Sequence, residues 1–193
     1  ELGMINWRPD SVDMYEDVQT LNQHVKDAPE KRLKLYHRAS RDSARTPVQW
    51  TAGPNAGFTE GTPWFYVNEN YPEINAEQQE NDPGSVLNFY RQAVALRKSL
   101  QIVRDGSYKE YYRLSDKLYV YERVLEDERL LVICSFSKKT LSVKLPKSYR
   151  HKPRTLLLSN YDAGKDNEDV LRFRPYEARV YRFEEVKDNT SVR

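Results

Sequence analysis

One cysteine in 193 residues rules out an internal disulfide, so this is not a small stapled secreted domain. Cys134 lies in the apolar run LLVICSF and reads as a small core residue. A lone thiol of this kind suits a reducing, cytoplasmic setting. No apolar run approaches the roughly 20 residues that span a bilayer, so no membrane partner is indicated. Neither charge dominates. Lys+Arg 31 against Asp+Glu 29 leaves a net charge of +2, too balanced to act as a nucleic-acid footprint. The three histidines, His24, His37 and His151, are too scattered for a metal set. There is no G-x-S-x-G elbow and no glycine-rich nucleotide pattern, so neither metal nor cofactor is implied. The carboxylate pairs Glu16/Asp17 and Glu184/Glu185 sit in charged surroundings and read as solvated faces. Taken alone, the chain contains no complete active site. Its start, ELGMINW, has neither an initiator Met nor a leader pattern and reads as the interior of a longer protein.

What is present is 38% hydrophobic and 31% charged, enough for one large or two small cores. Up to about residue 105 the apolar period is helical. Met14, Val18, Leu21 and Val25 predict a helix after an N-cap at Ser11, and PEKRLKLYHR predicts a second that begins at Pro29. A third runs through DPGSVLNFYRQAVALRKSL, with Asp82 as cap and Pro83 in the first turn. Its buried stripe is Val86, Phe89, Tyr90, Ala93, Leu96 and Leu100. From Tyr108 the period falls to two. Strands are predicted in KLYVYERVL, ERLLVICSF, TLSVKLP, RTLLLSN and VLRFRPYEARVYRF, the last cornered at Pro175-Tyr176. The predicted core is Leu118, Val120, Leu131, Ile133, Leu156, Leu158, Phe173, Val180 and Phe183. Helices followed by a run of strands divide the chain into residues 1–105, an all-β unit over 106–186 and a tail over 187–193.

Two stretches between the helices stand out. TAGPNAGFTEGTPWFYVNENYPEIN is a long aromatic loop, in which Trp64 and Phe65 either clamp the loop onto its scaffold or stack on a sugar. SRDSARTPVQW places Arg41 and Arg45 four residues apart, with Asp42 between them to hold one guanidinium and Pro47 to end the turn. A guanidinium is a planar fork of five donors, suited to carboxylates or sugar hydroxyls. A structural ion-pair network fits the same residues equally well.

SRDSARTPVQW, NAGFTEGTPWFYVNENYPEIN and DPGSVLNFYRQAVALRKS together resemble the C-terminal part of the oligo-1,6-glucosidase and alpha-glucosidase branch of the alpha-amylase family. ELGM resembles the end of that branch's G-E-E-[IL]-G-M segment, and NYD with FRPYEARVY its terminal strand domain. The similarity runs nearly end to end. Ile5 departs from the pattern, which commonly has a polar residue there. The resemblance implies an α+β fragment: the C-terminal end of a (β/α)8 barrel, with the loop after strand 8 and the last helices, followed by an antiparallel β-sandwich. It also implies a retaining alpha-glucosidase acting on terminal α-1,6- or α-1,4-linked glucose of short oligosaccharides, with the catalytic carboxylates upstream of this chain. The partners are then an oligosaccharide substrate and the rest of the barrel. Arg41 matches the arginine that bonds the glucose next to the cleaved bond and pairs with an acid from an early barrel loop. Asp42 and Arg45 brace its turn. Two alternatives remain open at this point: a non-catalytic amylase-family scaffold of the transporter heavy-chain type, and a transglucosidase or sugar isomerase on the same fold.

Overall fold

Pro29 opens an eleven-residue helix, and the segment before it does something the apolar period does not foretell. The computed structural model describes residues 1–22, 26–163 and 168–184, and divides the chain into two units, Glu1–Tyr90 and Arg91–Arg193. In the first unit the helix predicted after Ser11 is broken into two short pieces. A single turn, Val12–Met14, is capped by the Ser11 hydroxyl, which accepts from the Asp13 N–H, and among the described residues helix α1 covers Val18–Asn22. The break has a tertiary cause: the N–H groups of Glu16 and Asp17 donate to the Asp42 carboxylate rather than to carbonyls one turn back. Val18, placed in the predicted apolar stripe, is therefore exposed. Val25 lies outside the described residues, as does His24.

Helix α2 (Pro29–Ala39) follows its prediction, with Pro29 where its missing N–H costs nothing and His37 and Arg38 at the negative end of the dipole. Tyr36 joins Trp7, Tyr15 and Phe65 in a buried aromatic cluster, with Leu33 and Leu35 packed against it. The rings meet edge to face: Trp7 and Phe65 are 5.2 Å apart at 71°. The aromatic loop turns through three successive left-handed residues, Asn55, Ala56 and Gly57, and the Ala56 carbonyl accepts from the N–H of both Trp50 and Thr51. Helix α3 (Ala76–Glu80) starts at Asn75, whose side chain caps the Gln78 N–H at 2.9 Å.

Helix α4 spans Val86–Ser99. Its cap is Ser85, whose hydroxyl accepts from Asn88 N–H, and not Asp82, which bonds the Gly84 N–H in the preceding turn. Pro83 thus precedes the helix instead of occupying its first turn. The predicted stripe is also corrected: no residue of α4 is fully buried in this chain, and Val86 and Tyr90 are exposed.

In the second unit a short helix α5 (Gln101–Asp105) leads, among the described residues, into seven antiparallel strands: β1 Ser107–Tyr111, β2 Leu118–Leu125, β3 Glu128–Ser135, β4 Leu141–Lys144, β5 Arg154–Ser159, β6 Val170–Phe173 and β7 Ala178–Glu184. Five form one sheet in the order β1-β2-β3-β7-β5, and β4 pairs with β6. Between β6 and β7 the chain corners at Tyr176, which has φ 57°. Val120, Leu131, Ile133, Tyr181 and Phe183 from the large sheet share one core with Val143, Leu171 and Phe173 from the small one. Each buried side chain of this size contributes on the order of 1.5–3 kcal/mol.

Three predicted core residues are misplaced. Val180 pairs with Val132 and Leu158, and all three line a cavity of 250 Å³ with Ala93 and Leu96 of α4, on the face away from this core. Leu156 lies on edge strand β5 and is partly exposed. Alternation forbids Val180 and Phe183, three apart, from sharing a face. Leu118 packs at the core's margin. Cys134 is half-buried, and burial raises its thiol pKa. Charged groups also reach the core: Glu122 accepts hydrogen bonds from the hydroxyls of Tyr111 and Tyr149, and the buried Arg179 guanidinium lies 4.4 Å from the centre of the Phe173 ring. Among the described residues no helix is long and apolar enough to cross a membrane.

Candidate functional site

The motif at residues 40–45 folds as a tight helical turn, Arg41–Ala44, that leaves α2 through Ser40. The Ser40 hydroxyl caps this turn by accepting from the Asp42 N–H at 3.2 Å. The turn points Asp42 back at the start of α1. Its Oδ2 accepts from Glu16 N–H at 2.9 Å and Asp17 N–H at 3.0 Å, while its Oδ1 accepts from Arg45 Nη1 at 2.9 Å. Asp42 is completely buried, so one carboxylate ties together two chain segments and a guanidinium.

Arg41 takes a different partner. Its Nε and Nη2 both donate to Asp17 Oδ1, at 3.0 and 2.6 Å. Asp17 Oδ2 accepts from the Thr20 hydroxyl at 2.6 Å and the Thr20 N–H at 3.2 Å, so Asp17 also caps α1. Arg45 Nη2 lies 3.6 Å from the same Asp17 Oδ1. Two aspartates and two arginines therefore form one neutral cluster. The carboxylates lie at its buried base, and the Arg41 side chain is 58% exposed above them. Two of the five donors of Arg41 are used on Asp17. The hydrogen bonds from Arg41, with help from Thr20, hold the Asp17 carboxyl well below the usual carboxylate range despite its burial. Beside the cluster, burial with a smaller contribution from the Asp42 charge pushes the Tyr15 phenol up to about 12.

Asp17 is the residue that sequence reasoning missed. It read as half of a solvated carboxylate pair, yet it is buried and holds Arg41. Its signal was an Asp three residues before Thr20 at a helix start, the spacing of an N-terminal cap. The other pair, Glu184/Glu185, lies outside the residues whose side chains are described. His37 contacts the Pro9 carbonyl at 2.9 Å, and His151 is an exposed partner of Asp169.

Two hollows flank the aromatic loop. One, of 660 Å³, lies around the stacked rings of Trp7 and Tyr66, with Asn68 and Asn70 on its wall. The other, of 470 Å³, runs from Glu16 to Trp64. The loop's two central aromatics part company. Phe65 is buried in the cluster with Trp7, as a clamp is, whereas Trp64 is 63% exposed and meets Phe65 at 5.3 Å.

Residues 1–106 match the alpha amylase catalytic domain, and residues 118–180 match the alpha-amylase SusG C-terminal domain. The oligo-1,6-glucosidase of Parageobacillus thermoglucosidasius is 42% identical over 190 residues, covering 94% of this chain and 34% of the relative. The crystal structure of the trehalose-6-phosphate hydrolase of Bacillus licheniformis superimposes with a TM-score of 0.86 at 37% identity, over 95% of this chain and 34% of that one. The isomaltulose synthase SmuA of Protaminobacter rubrum superimposes with a TM-score of 0.86 at 33% identity, over the same shares. The chain spans about a third of the length of the curated relatives it matches.

Proposed function

The chain belongs to the alpha-amylase family, and from that premise we propose that it is the C-terminal part of a cytoplasmic, retaining alpha-glucosidase acting on short oligosaccharides. The 42% identity to an oligo-1,6-glucosidase supports an enzyme that releases terminal α-1,6- or α-1,4-linked glucose. On this reading residues 1–105 complete a (β/α)8 barrel, and the strands beyond form its β-sandwich domain. The exposed apolar residues Val86 and Tyr90 of α4 supply a surface for the remainder of the barrel to cover.

The observation that carries the proposal is the Arg41–Asp17 pair: a guanidinium held by a buried carboxylate, with its remaining donors turned outward. In retaining hydrolysis one carboxylate attacks the anomeric carbon while a carboxylic acid protonates the departing oxygen. Water then releases the glucosyl-enzyme, the two groups standing about 5 Å apart. Both groups are supplied by the upstream barrel. Arg41 moves no proton, because a guanidinium stays charged. It fixes the glucose beside the cleaved bond by donating to ring hydroxyls, and Asp17 sets its angle. Asp42 and Arg45 hold the turn from which it projects.

The complete enzyme is expected to hydrolyse isomaltose or maltose, with α-glucose as the first product seen by proton NMR. The 193-residue chain alone is expected to hydrolyse neither. Release of β-glucose by the complete enzyme, or turnover by the pure chain, overturns the reading. The isomaltulose synthase likeness fits, no better than hydrolysis, one variant of it, in which the glucosyl unit passes to a sugar hydroxyl instead of water. Isomaltulose formed from sucrose in the same assay identifies that variant.

A further inference from the structure

The β unit holds a group of arginines for which the Arg41 reading has no use. Arg172, Arg174 and Arg179 line one cavity of 330 Å³ with Thr140, Asp162 and Ala163, within the size range of small-molecule sites of about 300–1,000 Å³. The three arginines are held differently. Arg179 is buried and balanced: its Nε donates to the fully buried Glu177 carboxylate at 2.8 Å, and its Nη2 donates to the Arg172 carbonyl at 2.7 Å. That second bond ties one wall of the cavity to the core. Arg174 lies over the Tyr161 ring, 5.2 Å from its centre, and the Tyr161 hydroxyl is fixed in turn on the Pro175 carbonyl at 3.2 Å. Stacking occupies the face of a guanidinium and leaves the N–H groups around its edge for a ligand. Arg172 is exposed on β6, opposite Ser142. Among the described residues neither Arg172 nor Arg174 has a carboxylate within ion-pair distance.

We propose that this cavity binds a phosphate group, carried by free phosphate or by a phosphorylated sugar. The proposal stands apart from the glucosidase reading. Arg172 and Arg174 are exposed on either side of buried Phe173, so both project to one side of the chain. Residues two apart on a strand are about 6.6 Å apart, close enough for one small anion to meet both forks. A carboxylate saturates a single fork with its two oxygens, whereas a phosphate has enough oxygens to bridge two. The Thr140 hydroxyl supplies a further donor. With Arg179 balanced by Glu177, Arg172 and Arg174 against Asp162 leave one net positive charge at the site. Asp162 itself is an acceptor suited to the hydroxyls of a sugar that carries the phosphate.

The test is calorimetric titration of the complete protein with inorganic phosphate, glucose 6-phosphate, glucose and acetate. The two phosphates are expected to bind with a Kd of about 1 mM or below, and glucose and acetate to give no measurable binding. Arg172→Gln and Arg174→Gln are each expected to weaken phosphate binding at least about tenfold, and Arg172→Lys to weaken it less, because the charge stays while the fork is lost. Lys152→Gln removes an exposed cation of the same unit outside the cavity and is expected to change nothing. Arg174→Gln also gives up the stack on Tyr161; if it fails to fold, Arg172→Gln carries the test. Tighter binding of glucose 6-phosphate than of inorganic phosphate identifies a sugar phosphate as the source, and equal binding identifies free phosphate. Phosphate binding that survives both Gln substitutions, acetate binding as tight as phosphate, or no binding of either phosphate overturns the proposal.

Discussion

Replacing Asp42 with Asn removes one charge and almost no volume, and the geometry dictates the consequence. The carboxylate serves three donors, Glu16 N–H and Asp17 N–H on Oδ2 and Arg45 Nη1 on Oδ1. A carboxamide has one oxygen. Turned toward the backbone amides, it points its NH₂ at the Arg45 guanidinium; turned the other way, it leaves two buried amides facing donors. In the cheaper orientation the bond to Arg45 is lost, at about 1.5–3 kcal/mol, and two bonds to a charged acceptor become bonds to a neutral one, at about 1 kcal/mol each. The sum, about 3.5–5 kcal/mol, falls within the usual cost of breaking a buried pair, about 3–5 kcal/mol. The loss is local to one turn, so the readout is amide hydrogen exchange over residues 15–18. A local loss of about 3 kcal/mol makes exchange at Glu16 and Asp17 about 150-fold faster. The variant Asp13→Asn, at an exposed position in the same segment, serves as the control and is expected to change little. Unchanged protection at Glu16 and Asp17 in Asp42→Asn refutes the view that this carboxylate determines where α1 begins.

Arg41→Ala is expected to lower kcat/KM of the complete enzyme by at least about a hundredfold, and Arg41→Lys to recover only part of it because the planar fork is lost; near-normal kcat/KM in an early-melting Arg41→Ala makes the arginine purely structural. Arg45→Ala is expected to act chiefly on the melting temperature, by releasing Asp42. The Asp17 carboxyl is depressed in the folded protein, so its contribution is complete above its unfolded pKa of about 3.9 and fades as pH falls toward the lower folded value. Arg41→Gln removes the main cause of that depression, so melting temperatures of variant and wild type should differ at pH 7 and converge as pH falls from about 4 toward 2; a gap that stays constant with pH contradicts the assignment. In the β unit, Tyr149→Phe removes one of two donors to buried Glu122 and is expected to cost about 1.5–3 kcal/mol, seen as a lower urea midpoint for unfolding of the strands.

The strands were the most legible part of the chain. Six of the seven fall within stretches marked by alternation and polar breaks, because a half-buried sheet writes its period directly into the sequence. The error there was one of parity, since Val180 and Phe183 were placed on the same face. The first unit was harder to read. The Met14-Val18-Leu21 spacing is a genuine helical period, but Asp42, 25 residues beyond Asp17, captures the amides that the helix needed. No local pattern announces a contact at that separation. The same contact conceals Asp17, whose charge reads as a surface feature until α2 brings Arg41 over it. Trp64 and Phe65 were read as a pair, yet consecutive residues of an extended loop point in different directions, and the aromatic cluster took one of them. The arginine motif itself was legible as a motif, and its partner was not.

Both guanidiniums of the cluster converge on a single oxygen, Asp17 Oδ1, with Arg41 at 2.6 Å and Arg45 at 3.6 Å. This has a consequence for how such a sequence drifts. An atom shared by two cations makes their substitutions epistatic. Without Arg45, Asp17 has Arg41 alone to balance it, and a change at position 41 then strands a buried charge. With Arg45 in place, the same change is partly absorbed. The order of replacement therefore matters along any mutational path. A double-mutant cycle between positions 41 and 45 should therefore show a coupling that neither single substitution reveals.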